Sequence, residues 1–366
     1  MKNLVSLFFP HEDKKDYFKS LDGLRGVAVL IVLLSHTSHE GIFFHPILNF
    51  DFFGKIGVYL FFVLSAYLLD RQIALVFIEK EFNKEYWKNY FLRRFLRIYP
   101  LFFLALVFHW FFSVFGISTV IDSWMDIPAH LILYLGESIF WSIPVEFKYY
   151  FLSPLLMLIF HKYLKWDLKK IMLVFVLTAL GILILNYNLV LSRISTLRYL
   201  PIFLVGTFIS ITEVFKAKNI QGINKRKIDF IGILSFVAII ISVPQFYEKI
   251  FLNKVNFQSH QFYLPYAILW GFILLAAKYG DGVLKFFFGL RLLRFIGTIS
   301  FSVYLFHMLF LKIVMIIEMP DYLRIYFFFI LTFGFSSLSY LLIEKPLSRI
   351  RVNNISKYIP INKFIK

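Results

Sequence analysis

The sequence predicts an all-α, polytopic membrane protein of about ten transmembrane helices with both termini cytoplasmic. Three observations predict it. Of 366 residues, 59% are hydrophobic and only 17% are charged, whereas a soluble domain runs nearer half apolar and about a quarter charged. A soluble domain of this length could not hide that much apolar surface, and the same composition excludes intrinsic disorder. The apolar residues also fall in runs near the roughly 20 residues a helix needs to cross the hydrocarbon. Finally, Lys and Arg alternate between rich and poor loops, as the positive-inside rule requires.

The spans fall at about 22–39, 54–73, 99–117, 144–161, 170–188, 198–214, 229–245, 261–278, 298–317 and 323–343. The first follows a polar stretch, 1–20, with no small-residue site of the kind that closes a cleavable signal peptide. The second is weakened by Gly54 and Gly57. Between the second and third, Glu79 to Arg97 is charged and predicts an amphipathic helix on the cytoplasmic face. The fourth opens with Pro144, well placed in a first helical turn, and is the least apolar. The ninth opens near Gly297. Glu344-Lys345-Pro346 closes the tenth as an interface cap and chain stop. No repeat, linker or low-complexity tract divides the chain. The expectation is one integral-membrane domain over 1–366, with no fused extracytoplasmic domain after residue 343.

The net charge is +17. In a soluble protein that would point to nucleic acid, but here 31 of the 39 basic residues fall in the segments assigned to the cytoplasm. Seven lie on the other side (Lys55, Arg193, Arg198, Lys249, Lys254, Lys312 and Arg324), and Lys148 falls inside a span. There is no cysteine, which excludes disulfides, a thiolate nucleophile and Cys-ligated metal. No metal site and no nucleic-acid partner are expected.

Ionisable groups inside a bilayer are costly and therefore functional candidates. Arg25 and His36 are eleven residues apart, just over three turns, so they share nearly one helix face about 16 Å apart. Arg25 near the cytoplasm suits a phosphate, and His36 suits proton transfer near neutral pH. The alternatives are an Arg25 that anchors topology and a His36 that is a packed core histidine. Asp22 is placed to pair with Arg25. Ser65, in an apolar run, reads first as a helix-packing residue. Arg93, Arg94 and Arg97 form a cluster beside the bilayer that suits a phosphate end or anionic headgroups. Glu146 sits where the helix dipole favours a carboxylate, with Tyr150 four residues on. It is either a simple first-turn carboxylate or a cavity group. Ser300, Tyr304 and His307 form one polar stripe that should face the bundle interior.

Taken together, these segments resemble the acyltransferase-3 family of membrane-bound acyltransferases. The matching pieces are Leu21-Asp-Gly-Leu-Arg25-Gly with His36, the run Gly57 to Ser65, and Arg93-Arg-x-x-Arg97-Ile-Tyr-Pro100. To these add Trp141-Ser-Ile-Pro-Val-Glu146 with Tyr150, and Ile296 to His307. They occur in family order along essentially the whole chain. Departures are Ala66, where glycine is usual, and Phe147-Lys148, where a second acidic residue often follows the glutamate. The resemblance implies transfer of an acyl group, usually acetyl, from cytoplasmic acyl-CoA to a hydroxyl of an extracytoplasmic glycan or lipid-linked saccharide, in the bacterial inner membrane. Acetyl-CoA or another acyl-CoA would be a co-substrate. His36 and Glu146 would then be catalytic, Arg25, Arg93, Arg94 and Arg97 would hold the coenzyme, and Tyr150, Ser300, Tyr304 and His307 would line the acceptor side. A transporter or flippase for a lipid-linked or anionic substrate is the rival class. It predicts inverted repeats with paired broken helices.

Overall fold

In the computed structural model, the described residues are 7–9, 17–79, 84–117, 119–189, 191–215, 224–251 and 263–350. Most of the polar N-terminus, Lys254 and the tail beyond residue 350 lie outside them. Every regular element among the described residues is helical. Among the described residues seven helices are long and apolar enough to cross a membrane by themselves, and counting each of three bent helix pairs as one span gives up to ten.

The spans are α1 (Lys19–His39), α2 (Gly54–Glu79), α3 (Lys84–Val114), α4 (Ser142–Lys162), α5 (Leu168–Leu189) and α6 (Thr196–Phe215). There follow α7 (Lys225–Ile241) with α8 (Pro244–Phe251), α9 (Tyr263–Tyr279) with α10 (Val283–Gly289), α11 (Arg291–Thr298) with α12 (Ser300–Ile316), and α13 (Asp321–Ser339). The three pairs bend by 89°, 85° and 76°. All three are consecutive in the second half of the chain rather than at matching positions of two halves.

The structure corrects two expectations. The charged stretch before Arg97 is not a separate surface helix; it runs unbroken into the third span. At 1.5 Å per residue, the 31 residues of α3 reach about 46 Å, well beyond a hydrocarbon core of about 30 Å. Pro100 lies inside this helix, since membrane helices accept proline where neighbours satisfy the freed carbonyl. The ninth span lies where expected, as α12, and the short helix α11 before it meets it at 76° across Ile299. Glu344 does not stop the last span. It sits in a π-helical turn, Tyr340–Glu344, that continues into Lys345–Leu347.

α1, α2 and α6 form the centre, while α5 and α7 lie outside and expose Leu173, Leu177, Ile184, Phe230 and Leu234, as a lipid-facing surface must. Backbone contact sets the position of α1. A Cβ at Gly23 would lie 1.8 Å from the carbonyl oxygen of Phe288, one at Gly26 2.1 Å from that of Leu293, and one at Gly297 1.8 Å from that of Asp22. Gly23 and Gly26, on either side of Arg25, thus let α10 and α11 touch the α1 backbone. Small residues permit such approach in membranes, where packing rather than a hydrophobic force joins helices. Gly57 meets the Ala28 carbonyl of α1 in the same way, and Gly206 meets that of Val63.

Gly26→Ala should therefore destabilise the detergent-solubilised protein by about 1–3 kcal/mol, as overpacking does. Gly181→Ala, where nothing lies within 4 Å of the new Cβ, should gain up to about 1 kcal/mol in helix propensity. Thermal unfolding of the two variants side by side measures the difference.

Candidate active site

Between α1, α2, α3, α4 and α12 lies an intramembrane cavity of about 50 Å³. Its polar lining is Arg25, Ser65, Arg97, Ser142, Glu146, Ser300 and Tyr304. α4 brings Glu146 to its centre. Oε1 of this carboxylate accepts two hydrogen bonds of 2.6 Å, one from Ser65 Oγ on α2 and one from Tyr150 OH one turn along α4. Tyr150 is 2% exposed, so its hydroxyl has a firm reason to be held. The four-residue spacing of Glu146 and Tyr150 read from the sequence thus becomes a direct bond. Ser65 does more than pack.

Two cations face this carboxylate, leaving the lining with one positive charge in excess. Arg25 also pairs with Asp22 at 3.7 Å, and Asp22 accepts a hydrogen bond from Tyr17. Burial, then the Asp22 charge, raises the Tyr17 phenol above its ordinary pKa. Arg97 lines the cavity yet remains exposed. Arg94 stands behind Tyr150, its guanidinium 5.4 Å from that ring centre and 5.7 Å from that of Tyr90, with Nη2 donating to Gln72 Oε1 at 3.3 Å. Arg93 does not reach the lining; its Nε donates to the Asn89 carbonyl at 3.2 Å.

Tyr304 closes the far side. Its hydroxyl donates to the Ile139 carbonyl at 2.6 Å and accepts from Ser142 Oγ at 2.9 Å, so it is committed. His36 does not line this cavity. It lies with His307, ring centroids 5.1 Å apart, and Tyr304 packs on His307 at 5.9 Å. The sequence-derived set is therefore split. Arg25, Arg97, Glu146, Tyr150, Ser300 and Tyr304 meet around one space, and His36 and His307 meet behind Tyr304. His307 is fully buried, and its Nδ1 faces the Tyr304 carbonyl at 2.7 Å. A carbonyl only accepts, so Nδ1 carries the proton and Nε2 presents a lone pair; Nε2 is buried and has no partner among the described residues. No His36–Glu146 hydrogen bond occurs among the described residues.

Two polar networks escaped the sequence reading. Asp70, fully buried, accepts hydrogen bonds from Tyr149 OH at 2.7 Å, from Ser153 and from Thr207. Glu213 binds Tyr67 OH at 2.5 Å, Arg71 Nε at 2.7 Å and Lys278 Nζ at 2.6 Å. Lys278 Nζ also sits 4.1 Å from the Phe18 ring centre. Asp70, Arg71, Glu213 and Lys278 lie near the ends of their apolar runs, where a charge ordinarily marks a loop. The available signal was their helical phase: Tyr67, Asp70 and Arg71 share one face of α2.

Glu213→Gln leaves Lys278, 2% exposed at its side chain, without its carboxylate, and should cost about 3–5 kcal/mol. Glu213→Gln combined with Lys278→Met should recover much of that loss. Chemical or thermal unfolding in detergent reads both.

Comparison with known proteins adds a family to this geometry. A family model described as an acyltransferase domain matches residues 18–344. The peptidoglycan O-acetyltransferase OatA of Listeria monocytogenes serovar 1/2a is 26% identical over 385 residues, covering 94% of this chain and 57% of the relative. The O-acetyltransferase OatA of Staphylococcus aureus is 24% identical over 381 residues, covering 95% and 59%. The chain thus spans less than three fifths of the length of these two relatives. No solved structure matches the chain.

Proposed function

Because the chain belongs to the acyltransferase domain family, we propose that it transfers an acyl group, most simply acetyl, from acyl-CoA to a hydroxyl of an extracytoplasmic glycan. One observation carries the reading. A cavity inside the bundle holds two arginines and a hydrogen-bonded carboxylate together, and a histidine pair lies just beyond its Tyr304 wall. Polar groups at such depth are maintained for chemistry more readily than for stability.

The end of the bundle bearing Arg25, Arg93, Arg94 and Arg97 is the basic, cytoplasmic end by the positive-inside rule. Guanidinium groups there suit the phosphates of the coenzyme. Its extended arm then runs along α1, and the thioester arrives near His36. The acceptor O–H attacks the thioester carbonyl carbon, and His36 takes its proton. The C–S bond breaks as the ester forms, and the thiolate leaves and is reprotonated. His307, whose Nε2 has no partner among the described residues, faces the same acceptor. Glu146 keeps Ser65 and Tyr150 in fixed positions beside Arg25 and Arg97. The bacterial cell membrane is the expected location. A flippase is disfavoured because the bent helices do not fall at matching positions of two halves.

A second route is favoured by the Ser65–Glu146 bond of 2.6 Å. Glu146 would take the proton from Ser65 Oγ as that oxygen attacks the thioester carbonyl. The C–S bond breaks, and the coenzyme leaves as thiol with that proton. The acceptor O–H then displaces Ser65 from the ester, giving ping-pong kinetics. Purified protein incubated with labelled acyl-CoA and no acceptor separates the routes. Direct transfer leaves the protein unlabelled, whereas the serine route leaves label that Ser65→Ala abolishes.

His36→Ala should lower kcat by roughly 10²–10⁴-fold, the usual worth of a general base, with donor binding unchanged. Full acyl transfer by this variant at normal expression would sink the assignment. Arg97→Ala should act on the donor instead. Loss of one charge-assisted bond, about 1.5–3 kcal/mol, should raise the donor KM tenfold or more and change kcat less. Thiol release from acyl-CoA measures both.

A further inference from the structure

At the opposite end of the bundle, the first turn of α2 carries Lys55, and the segment entering α6 carries Arg193 and Arg198. Tyr59, one turn along α2 from Lys55, has its ring 6.4 Å from that of Tyr199, the residue after Arg198, so the three cations lie near one another. No Asp or Glu occurs in the sequence between Asp167 and Glu213, and none of the three cations has a salt bridge among the described residues. Arg198 is positioned by its backbone bond to the Leu191 carbonyl, 2.8 Å, and lies 5.8 Å from the Tyr199 ring centre. Three cations held together with no salt bridge among the described residues repel one another, and their field would attract an anion arriving from outside.

A second observation points the same way. Tyr59 is fully buried and Tyr263 nearly so, and neither hydroxyl has a partner among the described residues. Both phenols lie within the field of Arg198. A buried donor left unpaired is costly, and an anion at the cations would accept from it. From there an aromatic wall leads inward. Tyr199 meets Trp141 at 5.0 Å and Phe62 at 5.8 Å, and Phe62 lines the Glu146 cavity. Lys55 and Ser65 are ten residues apart on α2, about 15 Å by helical rise. On the outer side, Ser192 and Ser195 line an open groove of about 730 Å³ that Lys148 and Tyr134 also border.

We propose that Lys55, Arg193 and Arg198, with the Tyr59 and Tyr263 hydroxyls, bind an anionic group of the glycan acceptor, a carboxylate or a phosphate. They would anchor it about 15 Å from the acyl-transfer cavity. This rests on the acyltransferase reading above and adds the acceptor's charge to it. The site would select saccharides that carry a negative group near the hydroxyl to be acylated, and it would hold them in register along the aromatic wall.

Isothermal titration of the purified full chain, without turnover, tests it. The probes are a uronate-containing oligosaccharide, its carboxyl-reduced neutral counterpart, inorganic phosphate and acyl-CoA. The uronate form should bind at least tenfold more tightly than the neutral form, with an affinity that falls as salt rises. Lys55→Gln combined with Arg193→Gln should remove that preference and leave acyl-CoA binding unchanged. Tyr59→Phe removes a hydroxyl with no partner among the described residues, so it should leave thermal stability intact and weaken the anionic probe severalfold. Direct binding of inorganic phosphate that the double variant loses, with no binding of the uronate form, would assign the site to a phosphorylated acceptor. Equal binding of charged and neutral saccharides, binding unchanged in the double variant, or no binding of either uronate or phosphate would overturn the proposal. Failure of the acyltransferase reading itself would appear elsewhere, as no thiol release from acyl-CoA with any acceptor.

Discussion

A carboxylate in the bilayer must find its hydrogen bonds inside the protein, because no water is there to supply them. That constraint organises this bundle along α2. Ser65 donates to Glu146 of α4. One turn further, Asp70 gathers hydroxyls from α4 and α6. At the same level Tyr67 and Arg71 reach Glu213 of α6, which also binds Lys278 of α9. The same three neighbours are thus tied to α2 by polar contacts that leave little freedom of rotation or slip. The cavity at Glu146 is the uppermost of these joints and the one left open.

The second constraint is steric. Arg25 is flanked by glycines whose missing side chains let α10 and α11 rest against the α1 backbone. A guanidinium on a freely placed helix would move to the interface, as long cationic side chains do. Here it is held at the cavity edge opposite Glu146, with Asp22 as its second partner. The bend between α11 and α12 serves the same end. It lets α11 pass across α1 while α12 turns to present Ser300 and Tyr304 to the cavity. The acyltransferase family relationship then has a physical counterpart, in which cations lie at one end, a held carboxylate in the middle and a histidine pair beyond.

Much of this was legible in the residues. The ten spans follow from apolar run length. Glu146 and Tyr150 four apart predict a shared face, and the structure makes them hydrogen-bonded partners. The Ser300–Tyr304–His307 stripe does face inward, though only its first two members line the cavity. Where the reading failed, it failed at ends. A charge at the margin of an apolar run is ordinarily a loop charge, so Asp70, Glu213 and Lys278 carried no warning of burial. Likewise the basic stretch before Arg97 looked like a surface helix, because composition does not reveal that a helix continues out of the bilayer unbroken.

By itself the sequence determined the class of the protein, its apolar runs and the short set of polar residues lying within them, because bilayer solvation penalises charge at fixed depth regardless of neighbours. Only the tertiary structure decided which of those residues meet. Arg25 and His36 share a face of α1, yet one lines the Glu146 cavity and the other meets His307, and Tyr304, its hydroxyl tied to Ile139 and Ser142, both lines that cavity and packs on His307. Pairings across 81 residues, such as Ser65 with Glu146, depend on how helices pack side by side. No local spacing encodes that.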